Sequence, residues 1–157
     1  MAQPSKVKVR TARFGLIEVP EDSLIHIPQG IVGFSKSYRY VILEHTTSGP
    51  IKWLQSLDEP KVAFAIADPL LFFPDYFLQV KKEDLAGLDV ENTEDLVIYV
   101  LLSLHCDPQE MSANLQGPIL INTKNHRARQ VVLKDGRYST RHALLTKLRE
   151  TKSQDSK

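Results

Sequence analysis

The sequence predicts a mainly β protein: a small antiparallel barrel or sandwich-like single domain with one or two short helices. Three observations predict it. Short apolar or alternating runs recur at intervals of about ten residues, the rhythm of all-β sandwiches and barrels. The nine prolines and seven glycines fall mostly between those runs, where turns need them. Helical spacing is confined to two short stretches.

Taken in order, Lys6 to Arg10 alternates basic residues with Val7 and Val9. Phe14 to Val19 is ended by Pro20, and Leu24 to Ile27 by Pro28 and Gly30. Tyr38 to Glu44 is rich in β-branched and aromatic residues, which suit a pleated surface. Trp53, Gln55 and Leu57 alternate within Ile51 to Leu57. Val62, Phe64 and Ile66 alternate with Ala63, Ala65 and Ala67. That pattern predicts a strand with a bulky core face and an alanine face beneath a second layer. Leu96 to Leu104 is almost continuously apolar and is the expected central strand. Ile119 to Asn122 and Gln130 to Lys134 flank a polar, basic turn and read as two strands joined by a loop. Lys82 to Leu88 is the first expected helix, acidic at its start as the helix dipole favours. The second begins at Ser139 and carries Leu144, Leu145 and Leu148.

At 157 residues the chain fits one domain able to bury roughly 68–70% of its unfolded surface. Residues 1–148 are expected to form it, with 149–157 a flexible tail. The one cysteine, Cys106, has no internal partner, which favours a reducing compartment. The start, MAQPSKVKVR, lacks the apolar core of a signal peptide, and no window is apolar enough to span a bilayer. A cytoplasmic protein with no membrane partner is expected.

No constellation points to catalysis, a cofactor or a metal. His26, His45, His105, His126 and His142 show no i, i+4 pairing and no HExxH spacing. His105 and Cys106 are adjacent and would face opposite sides of a strand. Phosphate loops and a GxSxG setting are absent. Glu83, Asp84, Asp89, Glu91, Glu94 and Asp95 cluster without calcium-loop spacing, leaving a solvated acidic face or a docking surface for a cationic partner.

The net charge of +1 hides an asymmetry. Residues 1–123 carry 10 Lys+Arg against 16 Asp+Glu, and residues 124–157 carry 10 against 3. An acidic body steers basic partners. The basic stretch, with Arg127, Arg129, Arg137, Arg141, Lys147 and Arg149, could touch RNA phosphates but lacks interleaved aromatics. Leu70 to Phe77 packs four aromatics around Pro74, which rules out a central strand there. Such a corner is either core or an anchor for a protein partner.

Several motifs resemble the FliW family of bacterial flagellar assembly factors. They run in order over roughly residues 13–145: Phe14-Gly15, Ile27 to Phe34, Trp53 to Asp58, Asp68-Pro69, Phe72 to Tyr76, Ala113 to Leu115, Pro118 to Lys124, Gln130 to Leu133 and Tyr138 to His142. The resemblance implies a small β-barrel-like protein without catalytic activity, monomeric on its own. It implies two partners, flagellin and the RNA-binding translational repressor CsrA, bound in opposition. When flagellin leaves the cell, the freed protein binds CsrA and relieves repression of flagellin translation. The expected contact residues are Phe72, Phe73, Pro74, Asp75 and Tyr76 at the corner and Pro118, Ile119, Leu120 and Asn122 on the strand. Glu94 and Asp95 join them as acidic steering residues for CsrA. The competing reading is a β-barrel that binds RNA itself through the basic 124–149 stretch.

Overall fold

The computed structural model describes residues 5–44, 49–134 and 136–144. Among these are eleven strands: β1 (Lys6–Thr11), β2 (Gly15–Pro20), β3 (Ile25–His26), β4 (Arg39–Leu43), β5 (Lys52–Ser56), β6 (Ala63–Ala67), β7 (Leu96–Ser103), β8 (Ser112–Ala113), β9 (Ile119–Asn122), β10 (Ala128–Gln130) and β11 (His142–Ala143). β1 and β2 form a hairpin of their own. The rest make one antiparallel sheet in the order β10-β9-β7-β6-β5-β4-β3, with β8 also on β7 and β11 on β8.

The sheet is buried on both sides, and strand alternation sets which residue faces which layer. Along β7, Val97, Tyr99 and Leu101 point into the main core with Ile25, Ile27, Tyr40, Leu54, Ile66, Ile119 and Ile121. Leu96 and Ile98 point the other way, with Leu120 and Val131 beneath the segment carrying Val80, Leu85 and Leu88. Val100 and Leu102 pack on Phe73, Tyr76 and Leu115. On β4, Tyr40 enters the main core while Val41 packs under the β1–β2 hairpin with Val9, Val19 and Leu24. Double-sided burial explains the near-continuous apolar runs at Leu96 to Leu102 and Ile119 to Ile121.

The mainly β class stands, but the barrel does not close. The end strands meet at one bridge pair, His26 and Arg127, without a continuous ladder. β3 has two residues and β10 three, too few for one. Gly30, at φ 68°, sits just past β3 in the Ile27–Phe34 turn, and a Cβ there would lie 2.8 Å from the Phe34 carbonyl oxygen. Only glycine fits that turn.

Three expected elements differ. Lys82–Leu85 forms one 3₁₀ turn, because Gly87 (φ 84°) follows at once. The last expected strand lies earlier, at Ala128–Gln130, opposite Ile119–Ile121. Val131 and Leu133 carry the same register past the strand's end, donating their N–H groups to the Pro118 and Gln116 carbonyls. Instead of opening a helix from Ser139, the chain places His142 and Ala143 opposite Ala113 and Ser112. Leu145 and Leu148 of that expected helix, and the 149–157 tail, lie outside the described residues.

A polar cluster braces the β4–β5 end. Ser37 donates to the Glu59 carboxylate and accepts from the Ser56 hydroxyl. Asp58 accepts from the Tyr38 and Arg39 N–H groups at 2.8 and 2.9 Å and from the Arg39 guanidinium at 2.9 and 3.0 Å. Burial alone would raise the Asp58 carboxyl, but these donors outweigh it and hold it below the usual aspartate range. A depressed carboxyl stabilises the fold above the unfolded aspartate pKa and loses that contribution as pH falls through the folded value. Asp58→Asn is therefore expected to cost about 1–2 kcal/mol near neutral pH and to flatten the acid limb of stability against pH, read by urea denaturation at several pH values.

Candidate protein-binding surface

β6 is shorter than β7, and that mismatch makes the site. β6 pairs with Val100–Leu102 and stops at Ala67. The first half of β7, Leu96–Tyr99, has β9 on one side and no strand on the other. The chain leaving β6 turns aside because the Asp68 carboxylate caps the Leu70 N–H at 2.9 Å and Pro69 opens a short 3₁₀ turn over Pro69–Leu71. It returns past Tyr76, Phe77 and Leu78. The result is a groove of about 390 Å³ whose floor is Leu96–Tyr99 and whose walls are Asp68–Leu70 and Tyr76–Leu78.

The wall is anchored from behind. Phe73 is buried with its ring edge-on to His142 at 5.9 Å. Tyr76 is buried, donates its hydroxyl to the Leu115 carbonyl at 2.8 Å and packs at a tilt against Tyr138, ring centroids 4.7 Å apart. The Phe77 N–H donates to the Tyr138 hydroxyl at 2.8 Å. Burial pushes the Tyr76 hydroxyl well above the ordinary tyrosine pKa and pulls His142 below the ordinary histidine value. With the anchors inside, Leu70, Leu71 and Phe77 stay outside, 53%, 60% and 59% exposed. Three large apolar side chains on one rigid corner form the kind of patch that marks a binding site.

The expected contact residues divide. Pro74 and Asp75 are exposed at the tip of the corner and Phe72 is half-buried. Phe73 and Tyr76 are core, so they hold the wall up and do not meet a partner. The strand expectation needs the same correction. Pro118, Ile119, Leu120 and Asn122 are all buried, and β9 is paired on both sides, by β7 and β10. Asn122 spends its side chain inside, donating to the Leu88 carbonyl at 2.8 Å and accepting from the Lys124 N–H. Yet these residues sit directly behind the groove floor, since Ile119–Asn122 is the ladder partner of Leu96–Tyr99. Glu94 is exposed and Asp95 half-buried in the turn just before the floor.

Leu70, Leu71 and Phe77 belong to the corner expected as core or anchor, though not to the contact residues singled out within it, and the Leu96–Tyr99 floor was not expected as a contact. The available signal was the Asp68-Pro69 pair, a capped turn that ends a strand early.

The basic turn is largely spent within the molecule. Arg129 donates to the Glu83 carbonyl at 2.8 Å, and Arg127 donates to the Gly87 carbonyl and lies 3.6 Å from Asp89. Lys147 and Arg149 lie outside the described residues. Cys106 is exposed, and among the described residues no three His, Cys, Asp or Glu side chains converge on a metal position.

Fold and groove together define a doubly buried antiparallel sheet that carries an apolar cleft along one open half-edge. Residues 8–144 match the family model described as FliW protein, and the chain belongs to the FliW family. It is 37% identical to the flagellar assembly factor FliW of Treponema denticola over 142 residues, covering 90% of this chain and 96% of that one. It is 38% identical to the flagellar assembly factor FliW of Syntrophus aciditrophicus over 139 residues, covering 88% of each. A crystal structure of the flagellar assembly factor FliW superposes with a TM-score of 0.81 at 33% identity, covering 88% of this chain and 96% of that chain.

Proposed function

We propose that this protein is a cytoplasmic, non-enzymatic flagellar assembly factor that works by partner switching. It binds flagellin before export, and when flagellin is depleted it binds CsrA and relieves translational repression. The observation that supports this reading is the apolar corner and groove of Leu70, Leu71, Phe77 and Leu96–Tyr99 in a chain of the FliW family. An apolar cleft on a rigid sheet suits the apolar, unassembled ends of flagellin. The acidic excess over residues 1–123, with Glu94 exposed in the turn that leads into the groove floor, suits a basic RNA-binding protein. Opposed occupancy requires that each partner weaken the other by the same coupling free energy.

The test is a pull-down with the tagged full chain from a flagellated cell's cytosol, with flagellin export blocked and unblocked. CsrA recovered only when flagellin is depleted supports the switch. CsrA recovered equally in both, or neither partner recovered, overturns it. Tight RNA binding by the purified protein alone, weakening steeply with salt, would favour the RNA-binding alternative.

Electrostatic steering gives a separate prediction. Reversing both charges, Glu94→Lys with Asp95→Lys, should slow CsrA association several-fold at low ionic strength and much less at high, with little change in dissociation. Stopped-flow kinetics at two salt concentrations reads this. An unchanged low-salt association rate counts against steering at that edge.

A further inference from the structure

We propose that the open half-edge of β7 receives an extended, apolar segment of a partner protein as an added β-strand, laid along the line that β6 vacates. This rests on the protein-binding reading above and gives it a mode of recognition.

The argument starts from backbone direction. The Asp95 carbonyl accepts the Thr123 N–H and the Leu101 carbonyl accepts the Asn114 N–H, both on the β8–β9 side of β7. Backbone groups alternate along a strand. Val97 and Tyr99 therefore bond toward β9, and Ile98 turns its N–H and C=O toward the open side, with the Leu96 C=O beside them. Among the described residues, no backbone group from Asp68 to Val80 bonds to them. Unpaired strand groups in an apolar cleft are a template for another strand.

The β1 edge is guarded by contrast. β1 carries exposed Lys6, Lys8 and Arg10, charges that deter edge-to-edge pairing. Leu96–Tyr99 carries no charge at all. The four-residue half-edge spans about 13 Å, enough for about four residues of an added strand. A helix, about 10 Å across, would leave the Ile98 groups without partners. The one formal charge in the lining is the Asp68 carboxylate, with Asp75 and Glu94 exposed on the segments that flank it. The segment that fits is extended, apolar where it meets the floor and basic at one end. Main-chain bonds would give it affinity, and alternate side chains its specificity.

The test uses the full chain and a fluorescein-labelled synthetic peptide with a Lys-Val-Thr-Val-Thr core. The expected result is saturable binding, together with slowed hydrogen exchange of the Ile98 amide. N-methylating the peptide amides of one alternating set should weaken binding about tenfold or more, and methylating the other set should change it little. The protein itself is unaltered in that comparison, so misfolding cannot explain the result. Absent binding, an Ile98 amide that exchanges as before, or equal loss from both methylated peptides overturns the strand. If flagellin is captured while Ile98 stays unprotected, the strand fails and the partner reading stands. If the peptide protects Ile98 while neither flagellin nor CsrA is captured, the strand site stands and the partner reading fails.

Discussion

Ile119→Arg is expected to leave no cooperatively folded protein. Ile119 is 1% exposed, sits in the main core, and lies in a strand paired on both sides. Among the described residues the buried polar ones are Thr11, Ser37, Gln55, Ser56, Ser112 and Asn122, with no carboxylate to compensate a guanidinium. An unpaired buried ion costs several kcal/mol after relaxation, and the lost isoleucine packing adds about 2–5 kcal/mol. The sum rivals the whole stability of a domain, roughly 5–15 kcal/mol. Circular dichroism and thermal melting decide the matter: a melting temperature within a few degrees of the parent would mean that Ile119 is a surface residue after all. Phe73→Ala and Tyr76→Ala belong to the same class at smaller scale, each costing about 3–5 kcal/mol.

That result bears on what could be read from the chain. The strands with alternating or β-branched residues were legible nearly to their ends: Lys6–Thr11, Arg39–Leu43, Lys52–Ser56 and Ala63–Ala67 fall where the pattern put them. The status of Ile119–Asn122 was legible too, but in a different signal. Ile-Leu-Ile-Asn has no polar alternation, and an unbroken apolar run in a sheet means burial on both faces, not an exposed contact edge. Motif density made the stretch stand out, and packing is the physical reason for its composition. His142–Ala143 could not be read as a strand, because two residues carry no period and the pairing with β8 is set by tertiary contact. Of the groove only the Asp68-Pro69 turn was legible, for a related cause. The groove arises because β6 ends after only three residues, Ala65 to Ala67, have paired with β7, and relative strand length is a property of register that no local window contains. The aromatic corner was visible as a cluster, but which rings face inward depends on Tyr138, His142 and Leu115, which approach it from elsewhere in the chain.

Leu70→Ser combined with Phe77→Ser should separate binding from folding in the opposite sense to Ile119→Arg. Both side chains are more than half exposed, so melting temperature should stay within a few degrees of the parent, as surface substitutions usually cost under about 0.5 kcal/mol each. Anchors of this kind at the centre of an interface typically contribute about 2 kcal/mol or more, and two of them together, about 4 kcal/mol, correspond to roughly a thousandfold loss of affinity. Serine is the informative replacement because it leaves the charge around the groove unchanged. Flagellin capture should therefore collapse, measured by titration calorimetry, while the association rate with CsrA at low salt is preserved. Loss of both partners would place them on one surface and make the switch direct competition. Undiminished flagellin affinity would remove the corner from the interface, whatever the exposure of its side chains.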